Sequence, residues 1–395
     1  MDFTNLASPQ SVGMDPTLIA EIQRTVRTHV LDGLTPGTQV VVARHGQVVL
    51  DLALGLARLS PSGSRPQVAG TAVRDTEGIP PPAAVTPQTL FYSWSVAKPI
   101  TAMAIHLLIE RGKLGLDDPI TKVWPEFGKH GKEVVTVRQV LGHRGGFPLT
   151  PPGLKWQEYA DWNAAVRAME EAPLAWQPGS AIQYHSLNFG WVLGEVVRRV
   201  DGRPIEQFAC EEFFLPLGMD HSYLQLPTEK LALMAELTAP ESFVEASRAI
   251  LGWNLPLIRQ AVIPGAGLHT TARDMARFYQ MMLNGGELDG KRVLKPETIV
   301  QARTPAFRAG ERDLEWNLPA HFGHGLHLGG YDESIWGGPR STERTFGHNG
   351  WATNATWADV DRDVLGVILN NGMQPDLENF KRLRAVTDLV MDACH

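Results

Sequence analysis

Cysteine is nearly absent from this chain, which carries only Cys210 and Cys394 in 395 residues. Neither belongs to a Cys-x-x-Cys pair, so neither a disulfide framework nor a thiol redox motif organises the molecule. Basic residues are not in excess either: 36 Lys and Arg face 43 Asp and Glu, a formal net charge of -7. That balance gives no electrostatic footprint for nucleic acid or an anionic membrane and reads as solubility. No stretch approaches the roughly 20 apolar residues of a membrane-spanning helix. Residues 1–16 lack the basic region and apolar run of a signal peptide, and the default expectation is a soluble cytoplasmic protein. No Gly-x-Ser-x-Gly elbow occurs, which disfavours an α/β-hydrolase. No Gly-rich phosphate loop follows a strand, so nucleotide use has no support.

What remains is an ordinary globular composition, 43% hydrophobic and 20% charged, long enough for one large domain or two intimately joined ones. Leu18, Ile19, Ile22, Val26 and Val30 predict a helix over 15–32, begun by Asp15 or Pro16. Two β-branched runs, 37–44 and 47–53, flank His45-Gly46 and read as a hairpin. Residues 60–87, rich in Pro, Gly, Ser and Ala, read as a long loop, an insertion in preference to a lid. A strand-like stretch over 89–94 precedes a helix over 95–111 that ends at Gly112. Short helices and Pro/Gly loops then run to about residue 260. Among them is a helix over 187–200, where Gly190 and Gly194 would permit close packing on one face.

A helix over 271–283 is capped by Thr271, with Asp274 near its start. Strands are predicted at 345–348, 352–360 and 363–370, the last two joined by a turn at Asp361-Arg362, before a final helix over 377–393. The expected fold class is α+β: an antiparallel sheet built from N- and C-terminal segments, flanked by helices, with an inserted mostly helical domain. The expected division is 1–103 with 262–395 for the sheet domain and 104–261 for the helical one, the active site between them.

Chemistry concentrates at Ser95 and Lys98. A Ser three residues before a Lys shares its helix face. At a helix N-terminus the dipole and unpaired N–H groups favour a developing alkoxide and disfavour an ammonium, as burial also does. The spacing therefore suits acyl transfer from an activated serine. Chance alone supplies such a spacing roughly one third of a time in a chain of this composition, but here it follows a strand and opens a helix. Pro99 is tolerable in the first turns, where N–H groups lack partners.

The chain resembles the serine β-lactamase and penicillin-binding-protein superfamily, and most of all its esterase branch, the class VIII carboxylesterases. The resemblance is carried in order by Ser95-x-x-Lys98 and the blocks 110–127, 136–147, 176–202, 264–278 and 346–350. It implies the β-lactamase/transpeptidase fold, no cofactor, and a small-molecule ester as partner. It also implies that Tyr184 shares proton transfer with Lys98, although position 186 is Ser where the family has Asn. As a residue alone, Tyr184 could simply pack half-buried. The family's Lys-Thr-Gly corresponds to His348-Asn349-Gly350, expected to bind substrate through a mostly neutral imidazole. The N–H of Trp351 is implied to join that of Ser95 as the oxyanion hole.

Three rivals share this machinery: an amide-directed hydrolase (β-lactamase, D-aminopeptidase or amide hydrolase), an acyltransferase, and a β-lactam sensor. His321, His324 and His327 invite a metal reading. If 322–328 is a strand, however, His324 faces away from the other two, and a solvated or packing role is preferred with no metal expected. His143 is read as structural. Of the 11 tryptophans, Trp94, Trp336 and Trp351 fall near the inferred site in sequence, and Trp156, Trp162 and Trp253 in the helical middle. An aromatic acyl or alcohol pocket would follow if several line it.

Overall fold

A computed structural model describes residues 1–59, 83–147 and 150–394. The loop reading of 60–87 therefore lies mostly outside the described residues. Helix α1 (Pro16–Leu31) starts where expected: the Asp15 carboxylate accepts from the N–H groups of Thr17 and Leu18, and Pro16 occupies the first turn. Strands β1 (Gly37–Arg44) and β2 (Gln47–Arg58) form the predicted hairpin, with β2 running five residues beyond the expected end. His45 and Gly46 both take positive φ, the conformation a two-residue hairpin turn requires.

Among the described residues these strands belong to a seven-stranded sheet, antiparallel at every pairing. Its other members are β3 (Ala83–Ala84) at one edge and, from the C-terminal part, β6 (His327–Leu328), β7 (Thr345–Asn349), β8 (Ala355–Asp359) and β9 (Val364–Asn370). The order β3-β2-β1-β9-β8-β7-β6 seats the first long strand directly against the last, with Val41 opposite Val367. Two further short strands, β4 (Phe91–Tyr92) and β5 (His269–Thr270), pair apart from the sheet. The sheet thus draws on both ends of the chain, as expected.

Every position of β1 and β9 is buried, because both faces of the sheet are covered. On the outer face Val40, Val42 and Ile368 meet Ile22 and Val26 of α1, and Val386 and Val390 of the closing helix α7 (Asp376–Asp392). On the inner face Val41, Ala43, Val367 and Leu369 join a larger core. That core includes α2 (Lys98–Glu110), α4 (Asn188–Asp201) and α6 (Ala272–Leu283). Each fully buried aliphatic side chain contributes about 1.5–3 kcal/mol. A further helix of the middle segment, α3 (Trp162–Glu171), packs beside α4, and α5 (Val244–Trp253) follows it in the chain.

Some predicted boundaries are corrected. Only Phe91–Tyr92 of 89–94 is strand, and Trp94 has φ 53° and ψ -136°. The helix expected over 95–111 opens with a 3-10 turn, Ser95–Ala97, before α2. Residues 352–354 form a turn ahead of β8, because Ala352 takes a positive φ and the Asn354 side chain is spent on Tyr92 O and Asn370 N–H. The stretch 322–328 is not one strand. Phe322 bridges back to His327 across a tight turn with Gly325 at φ 95°.

The paired glycines of α4 pack as predicted. A Cβ on Gly190 would fall 1.9 Å from Gly265 N, and one on Gly194 would meet Trp162 and Ile205. Gly190→Ala is therefore expected to lower stability by about 1–3 kcal/mol, read as a fall in the urea midpoint at constant m-value. An unchanged midpoint would mean that α4 does not press on the 264–265 loop.

Candidate functional site

Backbone strain marks the entrance to the site. The pairing of β4 with β5 carries the chain to Ser93, whose N–H donates to Leu268 O at 2.9 Å. Trp94 then turns through its unusual φ, a conformation that costs a non-glycine residue about 1–3 kcal/mol. It is held by edge contacts of its indole with Tyr92 (5.0 Å), Trp253 (4.9 Å) and Trp351 (5.2 Å). That turn presents Ser95 at the start of the helical segment, half-buried, while Val96, Ala97 and Lys98 go directly into the core.

Lys98 is 0% exposed. Its Nζ lies 3.1 Å from Ser95 Oγ, donates to Gly265 O at 2.7 Å, and stands 4.6 Å from the centre of the Tyr184 ring. No carboxylate pairs with it among the described residues. Burial holds the amine well below the usual lysine range, so it is disposed to be neutral and able to accept a proton. The loop that supplies Gly265 O is secured by Gly190, which admits its backbone, and by Thr101 Oγ1 donating to Pro264 O at 2.9 Å.

Tyr184 comes from the loop before α4, and its ring makes tilted contacts with His143 and Trp316, each 4.7 Å away. Burial pushes its phenol well above the usual range, the hydrogen bond with Ser95 opposes that rise, and the charge of Asp313 adds to it. Tyr184 is thus a phenol and not a phenolate in the resting site. His143 lies beneath it as a support. His143 Nδ1 accepts the His185 N–H at 3.0 Å, and His185 Nε2 accepts the Gly145 N–H at 2.9 Å.

Strand β7 delivers His348 and Asn349, followed by Gly350. His348 is buried, its Nδ1 lies 2.8 Å from Asn349 O, and burial keeps its imidazole neutral. A Cβ at Gly350 would come within 2.6 Å of Ser93 O, so only glycine lets this turn pass the Ser95 segment. The turn is secured from behind by the buried Arg382 guanidinium, which donates to Ala352 O at 3.2 Å and Gly372 O at 3.0 Å. The N–H groups of Ser95 and Trp351 donate to no acceptor among the described residues.

The structure brings together Ser95, Lys98, Tyr184, His348, Asn349, Gly350 and Trp351, and it adds residues that had been assigned no part in the site. His327 is one. Its ring lies 4.1 Å from His348 and 6.0 Å from Tyr184, because the tight turn at 323–326 returns it to the sheet edge beside β7. The face argument for the three histidines therefore fails, yet they remain apart. His321 stacks on Tyr331 at 4.0 Å, and His324 Nδ1 lies 3.1 Å from Gln301 O. Asp313 and Trp316 carried no motif at all. Among the tryptophans Trp94, Trp253 and Trp351 converge, whereas Trp336 packs in the outer core, Trp162 donates to Glu195, and Trp156 is exposed.

The family profile described as Beta-lactamase matches residues 22–390. The chain belongs to the beta-lactamase family. Esterase/beta-lactamase LipL of Mycobacterium tuberculosis (strain ATCC 25618 / H37Rv) is 30% identical over 310 residues, 70% of this chain and 68% of its own length. The crystal structure of a penicillin-binding-protein homologue from Caulobacter crescentus superposes with a TM-score of 0.78 at 27% identity, covering 96% of this chain and 99% of that one. That of a family VIII carboxylesterase gives 0.79 at 23% identity, covering 98% and 100%. As a member of the beta-lactamase family, the protein has the fold of a serine hydrolase.

The site also has a stability consequence. His143, His185, His327 and His348 are all held neutral by burial, His185 and His327 down to about 3. The unfolded chain takes up these protons near 6.5, so stability is full above that pH and falls as pH drops through it. The His185 and His327 imidazoles then each withdraw up to about 2 kcal/mol by about pH 5, and His143 and His348 act in the same direction. Thermal unfolding should show Tm dropping steeply below about pH 6.5. A flat Tm across that window would mean the rings are protonated in the folded protein.

Proposed function

We propose that the protein is a carboxylesterase that works through an acyl-enzyme on Ser95. The observation that carries this reading is the fully buried Lys98 amine, 3.1 Å from Ser95 Oγ and without a carboxylate partner among the described residues. A neutral amine takes the hydroxyl proton as the bond from Oγ to the ester carbonyl forms. The Tyr184 phenol, above whose ring the new ammonium stands, gives its proton to the leaving oxygen as the carbon–oxygen bond breaks. It is then reprotonated from Lys98. Water then attacks the acyl carbon as its proton passes to the same groups, the bond to Ser95 Oγ breaks with return of that proton to Oγ, and the carboxylic acid leaves.

The Ser95 and Trp351 N–H groups form the oxyanion hole in this scheme, each worth about 3–4 kcal/mol to the transition state. The site lies in the seam between the sheet unit, 1–103 with 262–395, and the helical segment 104–261. His348 and Asn349 form the substrate-facing edge of β7. A neutral imidazole at 348 supplies no fixed cation for a substrate carboxylate, which favours neutral esters over anionic β-lactams. The aromatic group of Trp94, Trp253 and Trp351 suits an apolar substituent. A second reading, β-lactam amide hydrolysis, draws on the name of the Mycobacterium tuberculosis relative, which joins both activities.

The discriminating experiment compares p-nitrophenyl esters of several chain lengths, a chromogenic cephalosporin and D-amino-acid amides, each against wild type and Ser95→Ala. Ester hydrolysis should exceed the other two and fall by about 10³-fold or more in Ser95→Ala. Full ester activity in that variant would remove Ser95 as nucleophile. Faster cephalosporin turnover would keep the nucleophile and replace the substrate class. The acid limb of kcat/KM should lie well below 10.5, since only the deprotonated Lys98 amine is competent, and Lys98→Arg should abolish the activity. A limb in the ordinary lysine range would contradict the neutral-amine scheme.

A further inference from the structure

The 313–316 segment packs against the Tyr184 loop with no motif to announce it. Asp313 is 2% exposed, and its carboxylate divides its two oxygens between two pieces of chain. Oδ2 accepts the Tyr184 N–H at 2.8 Å. Oδ1 accepts the N–H groups of Glu315 at 2.8 Å and Trp316 at 3.1 Å. The Leu314 N–H donates to Ile182 O at 2.9 Å, so the two segments are also stitched through their backbones. A buried carboxylate satisfied by three N–H donors is a rigid and strong anchor.

The consequence lies at the other ends of the two anchored residues. Trp316 is 46% exposed, and its indole lies over the Tyr184 ring at 4.7 Å. Tyr184 is only 4% exposed. The side chain that fixes the Tyr184 backbone therefore also fixes the backbone of the tryptophan packed on its ring. Other contacts on the same loops, such as the ion pair of Arg144 with Glu311 and the Arg144 Nη1 bond to Gly179 O at 3.0 Å, touch neither Tyr184 nor Trp316.

We propose that Asp313 is a positioning residue of the hydrolase site, setting the Tyr184 hydroxyl and its Trp316 cover with one carboxylate so that the leaving oxygen receives its proton from a fixed, water-screened donor. The inference rests on the esterase reading and on Tyr184 as the proton donor. It has a signature that a purely structural role lacks. A p-nitrophenolate departs without a proton, whereas a simple alkoxide needs one, so misplacing Tyr184 penalises alkyl esters far more than p-nitrophenyl esters.

The test measures kcat and KM for p-nitrophenyl butyrate and ethyl butyrate on the full chain, with Asp313→Ala, Asp313→Asn, Tyr184→Phe and the double variant Tyr184→Phe/Asp313→Ala. Asp313→Ala should lower kcat/KM, which reports acylation and hence departure of the leaving group, by about 10²-fold or more for the ethyl ester, and for the p-nitrophenyl ester at least tenfold less than that. Asp313→Asn, which keeps an acceptor oxygen, should recover part of the loss, and the double variant should be no worse than Tyr184→Phe. Equal losses on both esters, or additive losses in the double variant, would overturn the role even if Asp313→Ala is poorly folded, because misfolding lowers both rates by one factor. If Ser95→Ala is inactive while Asp313→Ala matches wild type, this inference alone falls. If Ser95→Ala stays active, the esterase reading falls with it.

Discussion

An ammonium group cannot be buried cheaply. Moving the Lys98 amine out of water, with a backbone carbonyl and a serine hydroxyl as its hydrogen-bond partners, leaves deprotonation as the inexpensive state. Much of the architecture serves to keep that burial in place. Helix α2 is apolar nearly all round and lies in the middle of the inner core, so its first residue has no route to solvent. Helix α4 admits the 264–265 loop closely because Gly190 presents no side chain to it. The carbonyl that Nζ meets, Gly265 O, is supplied by that same loop.

Three further pieces of chain converge on the amine from different directions. The strained Trp94 turn aims Ser95, the loop before α4 brings Tyr184, and the end of β7 brings His348 and the Gly350 turn. Each is secured by a polar anchor: Asn354 on Tyr92 O, Asp313 on the Tyr184 N–H, and Arg382 on the turn after Gly350. Preorganisation of this kind is what a proton relay requires, because its donors cannot be reorganised at the moment of reaction without raising the barrier.

Much of this was legible in the sequence, and the reasons differ from residue to residue. The hairpin at His45-Gly46, the caps at Asp15 and Thr271 and the paired glycines of α4 are local signals. They depend on a few neighbouring residues and came through intact. Ser95 and Lys98 were readable because helical spacing by itself brings them together. His327 was not: its place depends on a tight turn that reverses the chain at 323–326, and alternation along an assumed strand gives only its face relative to His321 and His324. Asp313 could not be found by any spacing rule. Its partner Tyr184 is 129 residues away, and a single aspartate before a Glu-Trp pair has no distinguishing pattern. The convergence of Trp94, Trp253 and Trp351 is likewise tertiary, uniting three remote segments.

The central claim is that the hydroxyl beside the buried amine is the one that becomes acylated. It is tested most directly by quenching the enzyme in acid during turnover of a p-nitrophenyl ester of a hindered acid, then mapping the modified peptide by mass spectrometry. The account predicts one acyl group per chain, on Ser95, formed in a burst and lost in Lys98→Arg. An acyl group on any other residue, or a product burst that leaves Ser95 unmodified, would contradict it.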